Sequence, residues 1–158
     1  MNISPHITYS EATRSMTALR NGIKNEPNPQ QLKNMRLLAE NIFEPLWAAL
    51  GGYPINIASF YRSQELNRRV GGAAKSQHMA LQGAAMDIDV DHSLYLHNYQ
   101  IFEYIQDNLI FDQLIWEFGT KYNPDWVHVS FNEERNRNKV MRAFRDVNGK
   151  ARYELFKY

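Results

Sequence analysis

No cysteine occurs among the 158 residues. That removes disulfide scaffolds, thiolate metal sites and cysteine nucleophiles together. Charge of one sign is missing too: 18 Lys and Arg against 17 Asp and Glu leave a formal net charge of +1. No global field therefore points at nucleic acid or an anionic membrane. The locally basic stretch Arg135–Arg145 is interrupted by apolar residues and reads as a solvated face. No apolar run approaches the roughly 20 residues that a membrane span needs. The opening MNISPHITYSEATRS lacks a basic segment followed by an apolar one, so no secretory signal is expected. The expectation is a chain that is cytoplasmic as synthesised, does not insert into membranes and does not bind nucleic acid. Repeats, low-complexity runs and long linkers are also absent, and one domain over 1–158 suits this length.

What is present suffices for a packed interior, since 44% of residues are hydrophobic and 13% aromatic. Thr8 and Glu11 have capping-box spacing before a helix that should fade near Asn21-Gly22. Asn28, Pro29 and Gln31 mark a second helix start, and Gly51-Gly52 marks its stop. Between them Leu32, Met35, Ala39, Ile42, Phe43, Leu46, Trp47 and Leu50 form one apolar stripe. The period then changes to two. Strands are expected at Ile55–Phe60, Ala84–Val90, Phe111–Glu117 and Trp126–Phe131, with helices at Ser63–Val70 and Ser93–Leu109. Asn148-Gly149 predicts a type I′ hairpin joining Val140–Val147 to Lys150–Phe156. Helices followed by mostly antiparallel strands make an α+β protein.

Of five histidines, His6, His92 and His97 read as surface or structural residues. His78 ends a Gly/Ala/Ser loop just before the strand carrying Asp87 and Asp89, which share a face. An aspartate inside a strand is unusual, and a cation can offset the cost of burying it. His128, Ser130 and Trp126 share another strand face, with Val127, Val129 and Phe131 turned to the core. Two imidazoles and a carboxylate from separate elements form a three-ligand zinc set with one open position. The competing reading is a polar sheet edge whose aspartates cap turns.

The run Phe60-Tyr61-Arg62-Ser63-Gln64-Glu65-Leu66-Asn67, the Val70-Gly71-Gly72 loop and Ser76-Gln77-His78 resemble the M15 family of zinc peptidases. Gly83-Ala84-Ala85-Met86-Asp87, Phe111–Glu117 and Trp126–Phe131 extend the likeness. With the Asn28-Pro29 helix and its Phe43-Glu44-Pro45-Leu46 segment, which are similar to the bacterial and phage branch, it covers roughly residues 6 to 131. The resemblance implies a central, mostly antiparallel sheet with helices on one side and zinc on the open face, the M15 or hedgehog-like fold. It implies one zinc ion held by His78, Asp87 and His128, with Asp125 as the catalytic general base. Arg62 would be catalytic and substrate-binding, with Ser76 and Gln113 as further substrate or supporting contacts.

The implied activity is hydrolysis of the peptidoglycan stem peptide by metal-activated water, as a D-alanyl-D-alanine carboxypeptidase or an endolysin-type L-alanyl-D-glutamate endopeptidase. A monomer is expected, reaching the wall, as a phage lysis enzyme does, through another factor. One departure stands out. The family pattern is His-x-x-Gly-x-Ala-x-Asp, whereas here eight residues separate His78 from Asp87. The longer loop either bulges outward or displaces His78. The second outcome would leave a catalytically inactive binding or structural module of a phage or cell-wall assembly.

Overall fold

Two capping boxes open the helical half of the protein, whose computed structural model describes residues 1–157. A short ribbon, β1 (Asn2–Ser4) with β2 (Ile7–Thr8), leads into α1 (Tyr9–Thr13). Thr8 and Glu11 cap that helix reciprocally. It does not run on to Asn21: the backbone extends at Arg14, and the Ser15 hydroxyl starts a separate α2 (Met16–Arg20). Asn28 and Gln31 form the second box, with Pro29 as the first residue of α3 (Pro29–Leu38).

The apolar stripe continues through one wide π-helical turn, Ala39–Phe43, into α4 (Glu44–Ala49). Pro45 accounts for that turn. It has no N–H to give, and its ring would press on the carbonyl of Asn41 four residues back. Widening the helix, so that Glu44 N donates to Ala39 O, makes room. Met35, Leu38, Ala39, Ile42 and Leu46 thereby all stay fully buried.

The remaining elements are β3 (Asn56–Ser59), α5 (Gln64–Arg69), β4 (Ala84–Asp89), α6 (Asn98–Asn108), β5 (Gln113–Glu117), β6 (Trp126–Phe131), β7 (Lys139–Arg145) and β8 (Ala151–Leu155). α6 starts later than Ser93 because the Ser93 hydroxyl is used in a turn, accepting from Tyr95 and Leu96 N. His97 caps the helix instead. Six strands form one sheet in the order β3-β4-β6-β5-β7-β8, antiparallel except for the parallel β5–β7 pair. This is an α+β fold with a mostly antiparallel sheet. The hairpin β7–β8 forms as foreseen, but its turn is longer than a type I′ pair. Pairing ends at Arg145↔Ala151, and Gly149 alone takes the left-handed conformation (φ 77°). The Asp146 carboxylate accepts from Asn148 and Lys150 N and fastens the longer loop.

Alternation gives the sheet two unlike faces. Met86, Ile88, Val127, Val129, Leu114 and Trp116 point into the core, against the α3–α4 stripe and Ile101, Phe102 and Ile105 of α6. Phe102, Trp116 and Phe156 close this layer with ring centroids 5.0–5.6 Å apart. The opposite face carries Asp87, His128, Ile115 and Met141 in one cross-strand row, and Trp126, Glu117 and Ala143 in the next. Among the described residues no helix is long and apolar enough to cross a membrane.

Candidate metal centre

His78 is held from four directions before any ligand is considered. Its backbone N–H reaches the Ser76 hydroxyl (3.3 Å) and its carbonyl accepts from Arg62 N (2.9 Å). Gln77 Nε2 donates to Asp112 (2.9 Å), which also takes a two-point contact from Arg137. The ring Nδ1 lies 2.8 Å from the Phe60 carbonyl. A carbonyl only accepts, so Nδ1 carries the proton and Nε2 is left with its lone pair. The longer loop that follows is pinned where it leaves His78: Gln31 Nε2 donates to Met79 O and Asn34 Nδ2 to Ala80 O. Met79 and Ala80 are buried, while Leu81 and Gln82 are exposed. The extra residues therefore bulge outward.

Asp87 and His128 are direct cross-strand partners on β4 and β6. Asp87 Oδ1 lies 2.8 Å from His128 Nδ1, and Oδ2 lies 3.3 Å from His78 Nε2. The ligand-type atoms of all three residues fall within 4.8 Å of one another. Burial lowers the basicity of His78 more than Asp87 raises it, so its ring stays neutral. Burial alone would push Asp87 up, but the two imidazoles beside it hold it far below the usual carboxylate range. A neutral imidazole lone pair thus faces a carboxylate oxygen, a pair of electron-rich donors that could hold a cation together with His128. Two ligands at about 2.0–2.1 Å on a tetrahedral zinc stand roughly 3.3 Å apart, so the donor set suits that ion.

The three residues line a cleft of about 1160 Å³ on the open face of the sheet. Arg62 reaches it from the end of β3, and its buried Nε has no hydrogen-bond partner among the described residues. Burial lowers the guanidinium pKa, and the nearby Asp87 opposes this. Ser76 and Gln113 also line the cleft. The Ser76 hydroxyl is already engaged by the His78 backbone, and the Gln113 amide donates weakly to Met141 Sδ (3.6 Å).

Asp125 does not line the cleft. It is exposed, and its backbone rather than its carboxylate is held, N to Glu117 O and O to Asn98 Nδ2. Glu117 does line the cleft; only 5% exposed, it pairs with Trp126 and lies diagonal to His128 on the same sheet face. Burial pushes it up to about 7, with His128 opposing and Asp87 adding to the rise. The strand-alternation argument that singles out Asp87 applies equally to Glu117, two residues from the partner of His128. The other histidines lie elsewhere. His6 stacks on Trp47 and contacts Glu44, His97 caps α6, and His92 is exposed.

A comparison with curated proteins finds no match. The family model for peptidase M15 matches residues 5–130, a span that contains the His/Asp/His group and both carboxylates beside it. By that match over most of its length, the chain belongs to the peptidase M15 family.

Proposed function

We propose that the protein is a zinc-dependent peptidase that hydrolyses a peptide bond in the peptidoglycan stem peptide. One zinc ion per chain would be held by His78, Asp87 and His128. Bound in such a three-ligand site, zinc lowers the pKa of a water to about 7 and polarises a carbonyl. The observation that carries the reading is the lone pair of neutral, buried His78 aimed at Asp87, with Glu117 on the same face.

Glu117 takes the base's role in place of Asp125. Its carboxylate accepts a proton from the attacking water and passes it to the leaving amine as the C–N bond breaks. A carboxylate on the same face as the three residues is placed for both transfers. Arg62, which lines the cleft, would hold a substrate carboxylate or the developing oxyanion. Ser76 orients the His78 segment, and Gln113 offers an amide to the peptide.

The test is to load the protein with zinc, incubate it with purified muropeptides and weigh the products. Cleavage between L-alanine and D-glutamate supports the endopeptidase form, and loss of terminal D-alanine the carboxypeptidase form. A zinc-loaded protein inert on every muropeptide would sink the proposal.

A further inference from the structure

The family match ends at residue 130, yet the site-bearing face does not. β7 and β8 prolong the same sheet, and their register carries the rows of the metal centre outward. In the row after Asp87 and His128, Glu117 pairs with Ala143, and Ala143 pairs with Tyr153. Tyr153 consequently projects on the face of Glu117 from two strands away, a backbone separation of roughly 10 Å. Ala143, fully buried and the smallest side chain in the row, leaves the space between carboxylate and phenol low. Tyr153 lines the same cleft as Arg62, His78, Asp87 and His128.

We propose that Tyr153 is a substrate-contacting residue of this cleft, its phenolic hydroxyl donating a hydrogen bond to a carbonyl oxygen of the bound peptide. The proposal rests on the peptidase reading given above. It makes the C-terminal hairpin, outside the matched span, the wall that receives the chain beyond Glu117. The phenol remains a donor across the working range, because burial and then the Glu117 and Asp87 carboxylates raise its pKa while Arg145 opposes them. Its ring is half-exposed, so a conservative change is not expected to disturb folding.

The experiment compares the full-length zinc-loaded parent with Tyr153→Phe. Turnover is measured on muropeptides, and binding by calorimetry with phosphinate isosteres of L-alanyl-D-glutamate and D-alanyl-D-alanine. The expected result is a loss of about tenfold in kcat/KM and in isostere affinity, the size of one net hydrogen bond. Zinc content and melting temperature should stay as in the parent. Equal turnover and equal isostere affinity in Tyr153→Phe would overturn the role of Tyr153 and leave the metal reading standing. A zinc-loaded parent that neither cleaves nor binds either isostere would overturn the peptidase reading, and Tyr153's role with it.

Discussion

Glu117 and Asp125 compete for one role, and the sheet separates them. A pattern of residues can place an acid three positions before His128, but which carboxylate enters the cleft depends on strand register. That register joins β5 to β6, and no local signal states it. Glu117→Gln should lower kcat on muropeptides by about 10²–10⁴ while zinc stays bound. Asp125→Ala should leave kcat within about twofold, since Asp125 does not line the cleft. The reverse pattern would restore Asp125 as the base.

Glu117 also sets a pH dependence in the metal-free protein. Folded, it keeps its proton up to about pH 7; unfolded, it ionises near 4.5. Between those values the folded state binds the extra proton, so stability is lost as pH rises through the window, by up to about 3 kcal/mol. Metal-free Glu117→Gln lacks that loss. Its stability relative to the parent should grow by a similar amount between pH 5 and pH 8, read from urea unfolding at each pH. For the ligands, His128→Ala should abolish zinc retention in elemental analysis, and ordinary occupancy in that variant would refute the donor set.

Element by element, the local chemistry of the chain was the most legible part. Both capping boxes lie where Thr8-Glu11 and Asn28-Gln31 place them, because each cap is closed by residues three apart. The strands β3 to β6 also fall where the alternation sets them. What could not be read depended on partners distant in sequence. The path of the loop after His78 is fixed by Gln31 and Asn34 of α3, 46–48 residues away. Asn34→Ala would leave the buried Ala80 carbonyl unpaired and should cost about 1–3 kcal/mol in the metal-free protein, measured by thermal unfolding. Gly83 closes the same loop at φ 75°, where an added Cβ would strike the Phe131 carbonyl. Gly83→Ala should therefore destabilise by at least about 1–3 kcal/mol, and an unchanged melting temperature would contradict this placement.

At the scale of the whole molecule, the helix-covered and open faces of the sheet followed from alternation, but the parallel β5–β7 pair did not. Short spacing between strands suggests hairpins, whereas the chain leaving β6 crosses past β5 and pairs β7 with its other edge. Asn138 bridges that passage, its N–H donating to Phe111 O and its side chain accepting from Phe111 N. A metal held by His78, Asp87 and His128 would also couple to global stability. Zinc at a hundred times its dissociation constant should stabilise the folded state by about 2.7 kcal/mol, and a chelator should remove that increment. A melting temperature indifferent to zinc would show that the folded chain does not bind it preferentially.

The pairing of Asp87 with His128 joins residues 41 positions apart, and β6 lies between β4 and β5. Synthesis from the N-terminus therefore yields a growing polypeptide that holds His78 and Asp87 while the strand carrying His128 is still inside the ribosome. Until β6 emerges, β4 has β3 beside it and no neighbour on its other edge. The His78, Asp87 and His128 group is thus complete only once β6 has emerged.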